Sequence, residues 1–252
     1  MPLSGQRSFR HIVLSAVIAG LITGVLITLV QMFTTVPLIA QAEMYERSGV
    51  KLDASVAAVK ETADAAHDHS AHDHASETWA PKDGFERTFY TGVTSVLVAI
   101  AYALLLGACF SQMGSVGWRT GLALGVAGFL VFQLAPALGL PPQPPGSPYA
   151  DLVARQLWWI GTAAATALGL GAWFYARSHS KALWIPVGIV LILLPHLIGA
   201  PQPIEGQVAI LPKELSQRFA LLALITAAIF WLVLGGLQGY VFGRLGQRQA
   251  LG

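Results

Sequence analysis

The chain has 252 residues, of which 54% are hydrophobic and only 11% charged, with a formal net charge of +2. A soluble globular domain carries about 25% charged residues, so this composition excludes an ordinary soluble protein. Its Lys and Arg residues stand singly beside apolar segments, which excludes a basic nucleic-acid-binding surface. The single cysteine, Cys109, excludes an intrachain disulfide framework and a cysteine-based metal cage. Its position in an apolar segment predicts a buried, inert thiol.

Six apolar segments are candidates for membrane-spanning helices. About 20 apolar residues are needed to cross the roughly 30 Å hydrocarbon core of a bilayer. Apart from Arg119, at the start of the third segment, the six carry no charged side chain. The segments are residues 12–36, 88–110, 118–140, 157–175, 182–198 and 219–242. The fifth is short and contains two prolines, so five spans are the alternative to six. The sequence therefore predicts an all-α integral membrane protein.

The distribution of Lys and Arg predicts how the chain is oriented. Seven basic residues lie before the first segment or after the second, fourth and sixth, whereas the opposite short connections carry three. Short cytoplasmic connections are enriched in Lys and Arg, so we expect residues 1–11 and 244–252, the two termini, to be cytoplasmic. The first segment is longer than the hydrophobic region of a signal peptide, about 7–15 residues. We therefore expect it to be retained as an anchor.

The chain divides into one long loop and a bundle. Residues 37–87 are predicted to form an extracytoplasmic loop, and residues 88–243 a five-helix bundle with proline-rich outer loops. The odd-numbered segments exit through prolines and the next segments open with arginines: Pro37, Pro136 and Pro195, then Arg87, Arg155 and Arg218. This pattern favours three helical hairpins in parallel orientation about an axis along the membrane normal. The alternative is that prolines end helices and arginines mark interfaces independently of any repeat.

Glycines recur at four-residue spacing in three segments. The sets are Gly20 and Gly24; Gly117, Gly121 and Gly125; and Gly235, Gly239 and Gly243. In lipid, such small residues allow helix backbones to approach closely. The spacing therefore predicts close packing between helices of this chain, in preference to contact with a second subunit.

A histidine-rich tract is the most informative stretch for chemistry. Residues 67–74 contain four of the seven histidines, interleaved with two carboxylates: His67, Asp68, His69, His72, Asp73 and His74. Neutral imidazole suits divalent transition metals such as Zn, Ni, Cu, Fe and Co, and carboxylate adds a harder oxygen ligand. The tract predicts metal binding, with Cu favoured over Co or Ni by intrinsic affinity. A merely solvated acidic loop is the alternative.

Three further residues are weaker candidates for metal ligands. His196 stands beside Pro195 at the outer end of a proline-interrupted segment, where a broken helix exposes backbone carbonyls. It is either a metal ligand or an interfacial residue bonded to a carbonyl. Glu43 and Glu46 share one face if the first helix continues. They either receive a cation or are ordinary interfacial charges, and the second interpretation is the stronger.

The sequence contains no recognisable catalytic or energy-coupling site. A phosphate-binding Gly-x-x-x-x-Gly-Lys-Ser/Thr loop is absent, as is any intramembrane acid or base for an obvious proton relay. Serine–histidine–aspartate and paired-acid constellations are also absent, so we expect a protein that is not an enzyme. The main polar side chains in the spans, Gln31, Gln133 and Gln238, are expected to hydrogen-bond helix to helix.

Several stretches, in the same order along nearly the whole chain, resemble one known family. Besides the histidine-rich tract they are PLIAQAEMYE (37–46), DGFERTFY (83–90), PALGLPP (136–142), RQLWW (155–159) and PHLIGAP (195–201). Together they resemble the CbtA-type family of predicted cobalt transporter subunits. The resemblance implies a multi-pass component of cobalt uptake in the bacterial inner membrane. It also implies a link to cobalamin biosynthesis and a small single-span, histidine-containing CbtB-type partner. The family is usually described with about five spans.

We therefore expect a membrane transporter, or one of its subunits, that imports a divalent transition metal. Cobalt is the leading substrate, with nickel, zinc and copper as alternatives, and the histidine-rich loop is expected to collect the ion. An accessory metal-binding or sensing protein that delivers ions to a separate permease remains a second hypothesis. A membrane enzyme with a histidine-ligated cofactor is a weaker third.

Overall fold

The computed structural model describes residues 3–61, 81–179, 181–207 and 209–250, and it is α-helical in each apolar segment. The α-helices are α1 (Leu3–Phe33), α2 (Thr35–Glu61), α3 (Phe85–Ser111), α4 (Trp118–Phe129), α5 (Ala135–Gly139), α6 (Leu152–His179), α7 (Trp184–Ile198) and α8 (Lys213–Ala250). A π-helical turn, Leu130–Leu134, joins α4 to α5. The histidine-rich tract lies outside the described residues.

Five helices in the described part of the chain are long and apolar enough to cross a membrane. They are Phe9–Phe33, Phe85–Ser111, Trp118–Gly139, Leu152–His179 and Lys213–Gln247. These helices coincide with the first four segments and the sixth segment of the sequence. The predicted all-α membrane fold is therefore confirmed, and only the fifth segment forms a shorter helix, α7, of 15 residues.

Although α7 is short, it runs back along most of α6. Trp184, at its first residue, packs edge-on against Tyr175 near the end of α6, with ring centroids 5.7 Å apart. His196, in its last turn, packs edge-on against Trp158 near the start of α6, at 5.8 Å. The stretch of α6 between Trp158 and Tyr175 is about 25 Å long at about 1.5 Å per residue. The chain therefore reaches the opposite end of the bundle before α8 begins.

The two ends of the bundle are formed by different parts of the chain. At one end, which we call the terminal face, α1 begins and α8 ends; the His11 ring stacks on Phe242, and its Nε2 lies 2.8 Å from the Phe242 carbonyl oxygen. At the other end, the loop face, two proline-rich connections pair. The Tyr149 amide there donates to Gln207 Oε1 at 2.7 Å, and the Ile204 amide donates to the Tyr149 carbonyl at 3.2 Å.

The glycine spacing produces the closest helix packing in the bundle. A Cβ placed on Gly239 of α8 would stand 2.6 Å from the carbonyl oxygen of Gly117, the residue just before α4, closer than real Cβ atoms come. A Cβ on Gly20 of α1 would stand 2.7 Å from Ile100 Cα of α3. The prediction that these glycines pack helices of the same chain is confirmed.

The most extensive helix pairs are not all neighbours in sequence. Helix α1 packs on α3, as the first predicted hairpin requires, but α4 packs mainly on α8 and α6 mainly on α7. The reason is that the glycine faces of α4 and α8 are complementary, whereas α6 offers Gly169 to Gly188 of α7. Among the described residues, the third predicted hairpin, α7 with α8, is not formed as a packed pair, so the predicted three-hairpin arrangement is not observed.

Two local predictions need adjustment. The first helix is interrupted only by a turn at Thr34 and the chain then continues as α2, so residues 37–61 of the predicted loop are helical. Cys109 is exposed on the side of α3, so the predicted buried thiol is wrong. The inward face of α3 is instead formed by residues at three- and four-residue spacing: Ala99, Ala103, Leu106 and Phe110.

Candidate functional site

A first cleft opens at the loop face between the end of α1, the start of α2 and the start of α3. We call it the entrance cleft; its volume is about 600 Å³. Its charged side chains are Glu43, Arg47, Asp83 and Arg87. Two carboxylates and two guanidinium groups leave it with no formal net charge.

Arg87 fixes α2 to α3 across the entrance cleft. Its Nη1 donates to Glu43 Oε2 at 3.0 Å and to Asp83 Oδ1 at 3.1 Å, and its Nη2 donates to Glu43 Oε1. The Nη2 atom of Arg47 lies 3.7 Å from Oδ2, the other carboxylate oxygen of Asp83. The hydrogen bond from Arg87 holds the pKa of Glu43 below its ordinary value of 4.5. Glu43 is therefore ionised at neutral pH, with both oxygens engaged by the same guanidinium.

A second cleft, the central cleft, lies deeper between α1, α3, the π-helical turn and α8. It has a volume of about 440 Å³ and is lined by no charged residue. Its polar groups come from five helical elements and are Gln31, Thr35, Thr94, Ser95, Gln133 and Thr226. Ser95 Oγ donates to Gln31 Oε1 at 3.3 Å. Because Gln31, Thr35 and Ile39 line both clefts, the central cleft adjoins the entrance cleft.

An aromatic layer forms the floor of the central cleft. Tyr102 and Phe230 line the cleft. The fully buried Trp231 packs against Tyr102, with ring centroids 4.8 Å apart. Phe132 stacks parallel to Trp231 at 5.6 Å. The layer separates the polar cleft from the packed interior at the terminal face.

Gln133 reaches the cleft from the π-helical turn. Pro136 lacks the N–H that would bond the Phe132 carbonyl in an α-helix, so that α-helical hydrogen bond cannot form. The amide of the preceding residue, Ala135, donates to the Leu130 carbonyl, five residues back, which is the π-helical pattern. Such π-bulges occur frequently at functional sites. The polar character of Gln133 was visible in the sequence, but its placement in a π turn was not. A proline shortly after a glutamine inside an apolar span is the signal that could have indicated it.

A third cleft, the lateral cleft, lies between the π-helical turn, the first proline-rich connection and the start of α6. Its volume is about 570 Å³, and Gln133 lines it as well as the central cleft. Arg155 is the charged side chain on its wall.

The structure separates the residues that the sequence singled out. Glu43 lines the entrance cleft, whereas Glu46 is exposed and packs beside Gly146 of a proline-rich connection. His196 lies in the last turn of α7, with Nε2 buried and without a hydrogen-bond partner. The six residues of the histidine-rich tract lie outside the described residues.

The described side chains do not by themselves assemble a metal-ligand cage. Among them, no three His, Cys, Asp or Glu side chains come together in a group that could hold a metal ion. The predicted ligand roles of Glu43, Glu46 and His196 stay predictions. The arrangement instead offers a charged but neutralised cleft at the loop face and an uncharged polar cleft below it.

Apolar helices of membrane-crossing length, packed around a central cleft with uncharged polar walls, define an all-α multi-pass membrane protein. The model of one family, described as "Probable cobalt transporter subunit (CbtA)", matches residues 9–243. The chain therefore belongs to the CbtA family, as the sequence stretches suggested, and the family points to a transporter subunit, not an enzyme. No curated protein and no solved structure matches the chain.

Proposed function

We propose that this chain is the ion-conducting subunit of a cobalt importer, and that Co²⁺ enters through the entrance cleft and passes into the central cleft. Family membership supports cobalt as the substrate. The observation that carries the route is that two adjoining clefts share Gln31, Thr35 and Ile39 and lead from the loop face into an otherwise apolar bundle. The loop face is extracytoplasmic in this proposal, and both termini are cytoplasmic.

The ion crosses the central cleft with its water shell. Removing water from an ion without compensating ligands costs tens of kcal/mol, and no carboxylate lines this cleft. Six waters occupy about 180 Å³ at about 30 Å³ of liquid volume each, which is less than the 440 Å³ of the cleft. The amide and hydroxyl oxygens of Gln31, Ser95 and Thr226 are suited to accept hydrogen bonds from those waters.

The histidine-rich tract collects the ion before it enters. Residues 67–74 lie in sequence between α2 and Asp83, and both α2 and Asp83 border the entrance cleft. Metal binds neutral imidazole, whose ordinary pKa is about 6.5, so capture weakens as the pH falls below about 6.5. A single-span, histidine-containing partner of the CbtB type completes the transporter, which serves cobalamin biosynthesis.

Uptake into sealed liposomes tests the proposal. The purified chain, with and without its partner, should accumulate Co²⁺ in preference to Ni²⁺, Zn²⁺ and Cu²⁺. The Gln31→Leu variant should lower the rate at least tenfold, because it removes the amide group that lines both clefts. Gln112→Leu, at an exposed site beyond the end of α3, is the matched control and should transport normally. Wild-type uptake by Gln31→Leu would contradict the route.

A variant with the four tract histidines changed to alanine tests capture separately. It should keep the maximum rate of uptake but require more external cobalt for half of that rate. Unchanged uptake at low cobalt would show that the tract does not collect the ion.

A second candidate function is an accessory subunit that binds metal and passes it to another permease. The absence of charged residues from the central cleft favours it. It predicts cobalt retention by the protein without uptake into the liposome, whether or not the single-span partner is present.

A further inference from the structure

The three clefts differ in charge, and this difference separates the lateral cleft from the cation route. The charges of the entrance cleft cancel, and the central cleft has none. The lateral cleft has Arg155 as its charged group. A cation is repelled by an unpaired guanidinium, whereas an anion is attracted to it. The lateral cleft is therefore suited to a different kind of ligand.

Arg155 has no counter-ion in the described part of the chain. The ion pairs there involve Arg47 and Arg87 with Glu43 and Asp83. The nearest carboxylate in sequence, Asp151, accepts the backbone amide of Ala154 at 3.0 Å. Arg155 is only partly exposed, and its guanidinium offers five N–H donors. A half-buried arginine with an open set of donors matches the oxygens of a phosphate.

The remaining walls of the lateral cleft indicate what carries the anion. Beside Arg155 the wall is polar, with the amides of Gln143 and Gln156, and Trp159 lies on the same side. The rest of the lining is mainly apolar. It includes Leu140 and Leu152 near the loop face, and Phe132 and Ile160 further from that face than Arg155. Tryptophan is enriched where a membrane protein meets the headgroup layer. A ligand with an anionic head and a hydrocarbon body satisfies both walls, whereas a free anion would leave the apolar wall unused.

We propose that the lateral cleft binds an anionic phospholipid from the leaflet at the loop face, with Arg155 donating to the lipid phosphate and the apolar wall holding the start of an acyl chain. The proposal does not depend on the cobalt route. The lipid would stand against Gln133, the residue that the lateral and central clefts share.

Native mass spectrometry of the delipidated full chain, titrated with phosphatidylglycerol, tests the proposal. Arg155→Gln should lower the apparent affinity of the first bound lipid at least fivefold. Arg218→Gln is the matched control, because Arg218 is the corresponding exposed arginine at the start of α8, and it should bind as the wild type does. Equal lipid affinity in the wild type and Arg155→Gln would overturn the assignment, as would an equal loss in the two variants.

Competition with inorganic phosphate distinguishes the two sources of the anion and needs only the wild-type chain. Millimolar phosphate should leave the bound phosphatidylglycerol in place, because it cannot replace the contacts of the acyl chain. Displacement of the lipid by phosphate would show a site for a free anion and overturn the lipid assignment.

The Arg155→Lys variant keeps the charge but loses the planar fork of donors, so it should bind phosphatidylglycerol with an affinity between those of the wild type and Arg155→Gln.

Discussion

The terminal face and the loop face of this bundle are built on opposite principles. Toward the terminal face, large side chains are fully buried: Phe110, Trp231, Leu234 and Gln238. There α4 and α8 approach so closely that their glycines leave no room for a methyl group. Toward the loop face, three clefts of about 440 to 600 Å³ open between helices. The bundle is thus closed at one end and accessible at the other.

This contrast has a consequence for the proposed transport. An ion that enters from the loop face meets the aromatic layer of Tyr102, Phe132 and Trp231. Beyond that layer lies the glycine-packed contact of α4 with α8. Transporters expose a central site to one side of the membrane at a time by moving one group of helices against another. In the proposed route, the structure would correspond to the state open at the loop face, and passage would require the α4–α8 contact to shift.

The largest expected effect is on chemical accessibility. In a Cys109→Ser background, we compare Ser95→Cys, in the central cleft, with Ser15→Cys, at a fully buried position nearer the terminal face. A small, membrane-impermeant methanethiosulfonate reagent is added from the loop face. It should modify the Ser95→Cys variant at least tenfold faster than the Ser15→Cys variant. The rates are read by mass spectrometry of the intact protein. Similar rates would contradict the difference between the two ends.

The next effect concerns the stability of the closed end. Gly239→Ala should destabilise the protein by about 1–3 kcal/mol, because its methyl group collides with the backbone of α4. Gly161→Ala is the control on α6, where a Cβ meets no atom within 4 Å. It should be neutral or stabilising by up to about 1 kcal/mol, since alanine is the better helix former. Thermal unfolding in detergent measures both, and a loss of the same size at Gly161 would refute the packing argument.

A smaller effect is expected from the buried amide of Gln238. Its Nε2 donates to Ser15 Oγ and to the Ala103 carbonyl, each at 3.1 Å. Interhelical hydrogen bonds in membranes contribute on average about 0.6 kcal/mol, so Gln238→Leu should cost about 1 kcal/mol. In a double-mutant cycle, Ser15→Ala should cost less in the Gln238→Leu background than in the wild type. Strictly additive losses would mean that the two side chains do not interact.

The smallest effect is expected at the entrance cleft. Glu43→Gln removes the ion pair with Arg87, whose side chain is 40% exposed, so the loss at pH 7 should not exceed about 1 kcal/mol. Hydrogen bonding to Arg87 lowers the pKa of folded Glu43, so this stabilisation is complete above about pH 4.5 and disappears as the pH falls through the lowered value. Thermal unfolding at pH 7 and pH 3 should show that difference in the wild type and in the exposed control Glu46→Gln. The Glu43→Gln variant should lack it.

Sequence patterns predicted the parts of this protein that depend on nearby residues. Apolar runs of about 20 residues indicated the helices, because length and hydropathy are local properties. Four-residue glycine spacing indicated close packing, because it places small residues on one helix face. The same patterns could not show which helix Gly239 would meet. Nor could they show that Cys109 lies off the buried face of α3, since that depends on where the neighbouring helices stand.

The sequence by itself therefore determined a helical membrane protein of the CbtA family with a histidine-rich tract on a long connection. Only the tertiary structure decided that Arg87 would occupy both oxygens of Glu43, and that Gln31 and Ser95 would face one cleft. It also decided that Gln133 would stand between two clefts. Glu43 and Arg87 are 44 residues apart in the sequence, and Gln31 and Ser95 are 64 residues apart. Contacts between such distant residues arise from the packing of whole helices, which no local pattern specifies.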